Sequence, residues 1–336
     1  MPSNPADQHR LLLADIGGTH ARFALAERDR AGYSAVTTLR TDDYDDIEPA
    51  IAAYLESQGA TDPEVICIAA AGPLRDGRIR LTNARWVITE DELGRRAGAP
   101  QVRLLNDFEA VALAMPFLGD GDVAAVGSCT PRLVAGRDFT IGIVGPGTGF
   151  GAAALLRRDG RLVPVPGEAG HTGFSPQTAE QVEVLEALGE KFRPVTVEHL
   201  LSGPGVLNIA GALGQTRGLP VPAATPGGIF DASTAGDALA KDTVRLFFEV
   251  LGQVAGDLAL LFGARDGVFI AGGIVPRYPA LLAASGFRNA FERKGVYRSM
   301  MEAIPTALVT HPDAGLLGAS AAARDLVRSR SQAPML

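Results

Sequence analysis

The sequence predicts an α/β protein of two domains. Three observations carry that expectation. Short apolar runs alternate with amphipathic helical stretches, the pattern of sheets covered by helices. An apolar strand, a Gly/Thr turn and a returning strand occur twice, at Leu11–Leu25 and at Phe139–Ala153. The two turns lie about 130 residues apart, the size of one domain. The chain has 336 residues, 46% of them hydrophobic, which is enough apolar material for two cores.

The elements follow in order. Leu11–Leu25 reads as a hairpin: an apolar run reaches Asp15, turns at Gly17 and Gly18, and returns with Ala21, Phe23 and Leu25 on one face. Tyr33–Leu39 alternates and reads as a third strand. Ile47, Ile51, Tyr54 and Leu55 have helical spacing, with acidic residues ahead of them and Gly59 as a stop. Glu64–Ala70 is a continuous apolar run, as in a strand buried on both faces. Thr89–Glu92 has capping-box spacing for a short helix that ends near Gly94 or Gly98. Gln101–Leu105 is a strand running into Asn106 and Asp107, after which Phe108–Met115 is helical up to Pro116. The Gly/Asp-rich stretch Phe117–Asp122 marks a domain boundary. The second hairpin then leads to a strand at Leu162–Val165, helices at Gln177–Gly189 and Thr196–Leu201, and a Pro/Ala-rich loop at Pro220–Thr225. Ala235–Phe262 is the longest helical pattern. Strands at Gly267–Ile270 and Thr306–Val309 and a helix at about Asp313–Val327 complete the chain.

Composition narrows the function. The net charge is -7, which argues against a general nucleic-acid binder, because phosphate contacts need a basic face. The longest apolar stretches fall short of a membrane span, and Met1–Arg10 lacks an apolar signal region. A cytoplasmic protein is expected. Two cysteines, Cys67 and Cys129, cannot build a disulfide framework or a multi-cysteine zinc site, so no structural zinc is expected. Lysine occurs only at Lys191, Lys241 and Lys294, none after a glycine-rich loop, so there is no P-loop. No G-x-S-x-G or H-E-x-x-H pattern occurs.

What remains is a set of polar residues at strand ends and loops. Gly-Gly turns let a ligand approach bare backbone, and their N–H groups can converge on an anion. Phosphate is therefore expected at Asp15-Ile16-Gly17-Gly18-Thr19, with Mg²⁺ between it and the Asp15 carboxylate; the alternative is an ordinary hairpin turn. Asp107, where a strand meets a helix, is placed to accept a proton from a hydroxyl nucleophile; the alternative is a helix N-cap. Glu168 and His171 lie in a Gly-flanked loop, and Glu198 follows in a short helix. With Asn106, these two carboxylates, imidazole and amide suit a polyol. Gly272 and Gly273 follow a buried strand, where adenosine could approach the backbone or the chain could simply turn into a helix.

The stretches LLLADIGGTHARFAL, TNARW, LLNDFEAVALAMPFL, GPGTGFG, PGEAGH, LLSGPG, FIAGGIVPR, SGFRNAFERKG and GLLGAS, in this order, resemble the bacterial glucokinases of the proteobacterial type, within the actin-like, hexokinase-type ATPase superfamily. The resemblance covers about Leu11 to Ser320. It implies an α/β, two-domain actin-like (ribonuclease H-like) ATPase fold with a cleft between the domains. Residues 1–116 plus 311–336 would form the smaller domain and 117–310 the larger. It also implies ATP-dependent phosphorylation of the 6-hydroxyl of glucose, with Mg²⁺, in a homodimer. By motif, Asp107 resembles the catalytic base; Asn83, Asn106, Asp107 itself, Glu168, His171 and Glu198 resemble ligands of the sugar hydroxyls. Ala14 to Thr19 resembles the first phosphate loop, and Gly145, Gly147, Thr148 and Gly149 the second. Gly272 and Gly273 match the adenosine-side turn. Two departures stand out: His20, where the family pattern commonly has Asn, and Thr172-Gly173 after the His171 motif. The zinc-binding cysteine cluster of the related repressor/kinase family is absent. The rival functions are phosphorylation of another hexose and non-catalytic sugar sensing.

Overall fold

The computed structural model describes residues 11–332 except 31, 61, 82–84 and 129–135. It separates into two compact units, residues 1–118 with 311–336 and residues 119–310.

The first unit is built on a five-stranded sheet. Strands β1 (Leu11–Ile16), β2 (His20–Ala26) and β3 (Ser34–Arg40) form an antiparallel meander. Helix α1 (Ile47–Gln58) follows, its first N–H capped by Asp46 (2.8 Å) and its end set by Gly59 at φ 61°. A left-handed residue at a helix end favours glycine, the signal that marked this stop. β4 (Val65–Ala70) is buried at every position and runs parallel to β1, as its unbroken apolar sequence predicts. β5 (Leu74–Arg75), β6 (Arg78–Arg80) and β7 (Val87–Thr89) make a small antiparallel sheet. α2 (Glu90–Ala97) leads to β8 (Gln101–Asn106), parallel to β4, and then to α3 (Asp107–Ala114). The sheet order is β3-β2-β1-β4-β8. The C-terminal helix (Ala314–Gln332) packs on β1, β4 and α3, with Leu316, Ala319 and Ala323 wholly buried. The capping box expected at Thr89–Glu92 does not form. Thr89 makes no side-chain cap bond, and the Glu90 carboxylate accepts instead from the Leu104 N–H (2.8 Å), tying α2 to β8.

The second unit repeats the plan. β9 (Val123–Ala125) lies at one edge. β10 (Phe139–Pro146), β11 (Phe150–Arg158) and β12 (Arg161–Gly167) are again an antiparallel meander. Helices α4 (Ala179–Gly189), α5 (Gly203–Arg217), α6 (Pro226–Ala235) and α7 (Ala238–Phe262) carry much of the core. β13 (Gly267–Ile270) joins β10 in parallel. After the short helices α8 (Pro279–Ala283), α9 (Phe287–Glu292) and α10 (Arg298–Ala303), β14 (Thr306–Val309) joins β13. The order is β12-β11-β10-β13-β14-β9. Five of its six strands reproduce the topology of the first sheet, which is the duplication that the two hairpins suggested.

Two expectations are corrected, and two unassigned helices appear. The long helix starts at Ala238, not Ala235, because Gly236 (φ 106°) ends α6 and the Asp237 carboxylate caps α7 through the Ala240 N–H (2.8 Å). α5 and α6 are helices to which no element was assigned from the sequence; Ser202 and Thr225 cap them, each with proline in the first turn. The expected helix at Thr196–Leu201 is a single 3₁₀ turn, Val197–His199.

Candidate functional site

In the first unit the register brings candidate residues to one sheet edge. Ile16 pairs with Ala70, and Ala70 with Asn106, so β1, β4 and β8 end side by side. The ends of parallel strands are where ligands bind open α/β sheets. The first glycine turn and Asp107 both open on this edge. Ala14, Asp15 and Ile16 belong to β1 itself, so the turn proper is Gly17–Thr19, closed by the Gly17 N–H on the His20 carbonyl (2.9 Å). Thr41, 2% exposed, was not singled out by the sequence and holds the turn. Its N–H donates to the Thr19 carbonyl (3.1 Å) and its hydroxyl to the Gly18 carbonyl (3.0 Å). His20 lies on the exposed side of β2.

Asp15 faces Arg22 across the hairpin, 3.6 Å away, and Arg22 in turn reaches Asp313 (3.8 Å). Burial pushes the Asp15 carboxyl above the usual range; Arg22 partly offsets this and Asp313 adds to it. A Cβ on Gly315 would stand 2.8 Å from the Asp15 carboxylate, so the helix reaches that carboxylate only because Gly315 has no side chain. Among the described residues no group of three or more His, Cys, Asp or Glu side chains could hold a metal ion. Asp15 offers one hard oxygen donor, the kind that takes Mg²⁺ together with water and nucleotide phosphates.

Asn106, rather than Asp107, is the N-cap of α3. Its Oδ1 accepts from the N–H groups of Phe108 (2.9 Å) and Glu109 (3.4 Å), and its Nδ2 donates to the Gly72 carbonyl at 3.4 Å. Asp107 Oδ1 also accepts from the Phe108 N–H (2.9 Å). The alternative reading of Asp107 as the cap is therefore replaced by its neighbour. Asn83 lies outside the described residues.

The second unit assembles the other candidates. Gly145 and Pro146 are buried strand residues of β10, so the second turn is Gly147–Gly149, closed by the Gly147 N–H on the Gly149 carbonyl (2.7 Å). Gly272 (φ 88°) lies against it: a Cβ there would be 2.5 Å from the Pro146 carbonyl oxygen. Gly272 is thus a turn only glycine can make. The N–H of Gly203, at the start of α5, donates to the Gly147 carbonyl (2.9 Å). This brings a helix N-terminus to the turn; the Ser202 cap followed by Pro204 was its signal in the sequence.

Glu168 precedes the 3₁₀ turn Ala169–His171, which packs against the turn Val197–His199. Glu198 Oε2 accepts from the Phe150 N–H (2.8 Å), beside the second glycine turn. A Cβ on Gly149 would fall 2.4 Å from Glu198 Oε2, and one on Gly170 3.3 Å from it. Glu168 and His171 are exposed, whereas Glu198 is half-buried. His199 is shifted down by burial, with Glu198 opposing and His171 and Lys191 adding, so these groups share one electrostatic neighbourhood. Within this unit, Glu168, His171, Glu198 and the Gly147–Gly149 turn therefore come together. The Thr172-Gly173 departure has a structural use: the Thr172 hydroxyl donates to the Ala169 carbonyl (2.8 Å) and Gly173 bridges to Thr196.

Two α/β units of matching topology, each with a glycine turn at the end of its central strand, define the class of two-domain actin-like ATPases. Comparison with known proteins narrows this. The glucokinase family model matches residues 12–326. A glucokinase from Caulobacter sp. (strain K31) is 42% identical over 313 residues, covering 93% of this chain and 94% of that one. A glucokinase from Xanthomonas campestris pv. campestris (strain B100) is 39% identical over 334 residues, covering 98% and 97%. The crystal structure of a glucokinase from an Antarctic psychrotroph superposes with a TM-score of 0.84 at 31% identity, covering 94% of this chain and 98% of that chain. The chain belongs to the glucokinase family.

Proposed function

We propose that the chain transfers the γ-phosphoryl group of ATP to the 6-hydroxyl of D-glucose, giving glucose 6-phosphate and ADP, as the first step of glycolysis in the cytoplasm. The observation that carries the reading is local. In a glucokinase-family chain, the Asn106 amide supplies the cap of α3, so the neighbouring carboxylate, Asp107, is not required as the N-cap residue. It is kept on the sheet edge onto which the first glycine turn opens.

In this mechanism Asp107 takes the proton of the 6-hydroxyl as that oxygen bonds to the γ-phosphorus and the bond to the β–γ bridging oxygen breaks, releasing ADP. Glu168, His171 and Glu198 accept from and orient the other sugar hydroxyls. Asn106 contributes its amide nitrogen, since its oxygen is engaged in the cap. Asn83 completes the sugar set by motif. The turns Gly17–Thr19 and Gly147–Gly149 receive the phosphates on backbone N–H groups, and Gly272-Gly273 lies on the adenosine side. Asp15 would hold Mg²⁺ through water, and the ion would neutralise charge on the phosphates. A homodimer, implied by the family resemblance, belongs to the same reading, and sedimentation velocity tests it.

Replacing Asp107 with Ala should lower kcat at least ~10²-fold, the lower end for loss of a general base. Binding of glucose should be weakened but survive, because Asp107 meets only the 6-hydroxyl and the contacts to the other hydroxyls lie elsewhere. The measurement is coupled ADP release with glucose, mannose, fructose and N-acetylglucosamine as separate arms. No ADP release with glucose would end the proposal, and near-normal kcat in the variant would end the role of Asp107.

A further inference from the structure

We infer that two buried glutamines, Gln181 on α4 and Gln253 on α7, position the turn Glu168–His171 and so set glucose affinity without touching the sugar. The inference rests on the proposed role of that turn in binding glucose.

The segment after the turn is a surface segment: Thr172, Gly173, Ser175 and Gln177 are all exposed. Such runs are ordinarily mobile. This one is held from below at two levels. On one side it pairs with the chain at Val195–Val197, through the Phe174 N–H on the Val195 carbonyl and the Val197 N–H on the Thr172 carbonyl, both 3.0 Å. From the core, Gln181 Oε1 accepts the Gln177 N–H (2.7 Å) and Gln253 Nε2 donates to the Ser175 carbonyl. The two amides grip backbone groups only two residues apart. The Thr172 hydroxyl on the Ala169 carbonyl links the gripped segment to the turn that presents His171.

The burial of these glutamines shows that the grip is what they contribute. Gln181 is 0% exposed and Gln253 1%. Each uses half of its amide on the segment. The other halves, Gln181 Nε2 and Gln253 Oε1, are buried with no hydrogen-bond partner among the described residues. A half-satisfied buried amide is worse for stability than an apolar side chain of the same shape. Methionine would fill either volume without that penalty. The two residues thus act against stability and for one conformation of the surface segment. Polar groups in a core that fix a single arrangement behave in this way.

The test uses Gln181→Met, Gln253→Met and His171→Ala in the full-length protein, read by the KM for glucose, the KM for ATP, kcat and Tm. Each Met variant should raise the KM for glucose by up to about tenfold, as small misplacements of binding groups do. The KM for ATP should hold, and Tm should be equal or higher. A merely structural role would instead lower Tm and leave the KM for glucose alone. If His171→Ala raises the KM for glucose and the Met variants do not, the positioning role is overturned while the sugar-site reading stands. If His171→Ala leaves it unchanged, the sugar-site reading falls and the inference with it. A measurement on the unsubstituted protein stands apart from any folding defect of the variants. The Gln177 amide, on an exposed residue, should exchange slowly with solvent deuterium because Gln181 accepts its proton. Exchange as fast as that of an unstructured surface amide overturns the grip.

Discussion

Thr41 shows how one residue can shape a proposed phosphate turn that it does not belong to. It engages two carbonyls of the turn, the Thr19 carbonyl through its backbone N–H and the Gly18 carbonyl through its hydroxyl, which fixes the turn's backbone. Thr41→Val keeps the volume and removes the hydroxyl, leaving the Gly18 carbonyl short of a partner. The expected cost is about 1–2 kcal/mol of stability, with a raised KM for ATP and an unchanged KM for glucose. A titration of both substrates against the variant checks this; equal effects on the two would contradict it. Glu109 gives a second residue-scale prediction. Burial raises its carboxyl above the usual range, while Arg103 at 3.4 Å and the Asn106 contact only partly oppose the shift. For an acid, a raised folded value means that the folded state holds the proton longer than the unfolded one. Stability therefore falls as pH rises from the ordinary carboxylate range through the raised value. Glu109→Gln removes that slope. The Tm difference between the variant and the parent protein should move in the variant's favour as pH rises from about 4 to 8, whatever constant offset the unpaired Arg103 adds. Parallel curves would refute it.

At the scale of elements, two helices meet at a glycine. A Cβ on Gly318 in the C-terminal helix would lie 1.7 Å from the Ala110 carbonyl oxygen of α3, which is backbone against backbone. Overpacking there costs about 1–3 kcal/mol or more. Because α3 begins at Asp107, the displacement passes directly to the proposed base. Gly318→Ala should lower both Tm and kcat, whereas Gly211→Ala on α5, where a Cβ meets nothing within 4 Å, should lower neither. Thermal melts and initial rates of the pair decide it. Elements were legible in the sequence where one signal dominated. β4 and β10 are buried throughout and read as apolar runs; α1 has its cap, its period and its glycine stop. α5 was not legible, because Gly203, Gly205, Gly211 and Gly214 lower the helical propensity of the stretch. Packing overrides propensity there: a Cβ on Gly205 would be 2.5 Å from the Leu200 carbonyl. The spacing Val206, Ile209, Ala210 and Leu213, all buried, was the usable signal. The candidate residues next to glycine turns could be picked out because Gly-Gly turns at strand ends bare the backbone to a ligand, with polar side chains beside them. Thr41, Gln181 and Gln253 could not, since each is an ordinary residue of its element until the fold gives it a partner.

At the scale of the whole molecule, the same topology occurs twice but the chain closes the two copies differently. The unit of residues 119–310 is continuous, with its core spread over α4 to α7 and the sheet. The other unit takes its last helix from residues beyond His311, and that helix covers β1 and β4 with Leu316, Ala319 and Ala323, all 0% exposed. Its Arg324 and Ser320 also donate to carbonyls of the β2–β3 connection at Arg30 and Gly32. A chain ending at Thr310 would leave the face of β1 and β4 uncovered. A domain is stable by only roughly 5–15 kcal/mol, so the loss of a whole packed helix is expected to unfold this unit. Residues 119–310 expressed alone should therefore unfold in one cooperative transition, as seen by circular dichroism. A chain of residues 1–310 should show that same transition and no second one, with the amides of β1 and β4 exchanging rapidly. Persistent protection of β1 and β4 in the shortened chain would show that the sheet does not need its helix. Absence of a cooperative transition in the 119–310 fragment would show that the continuous unit is not self-sufficient.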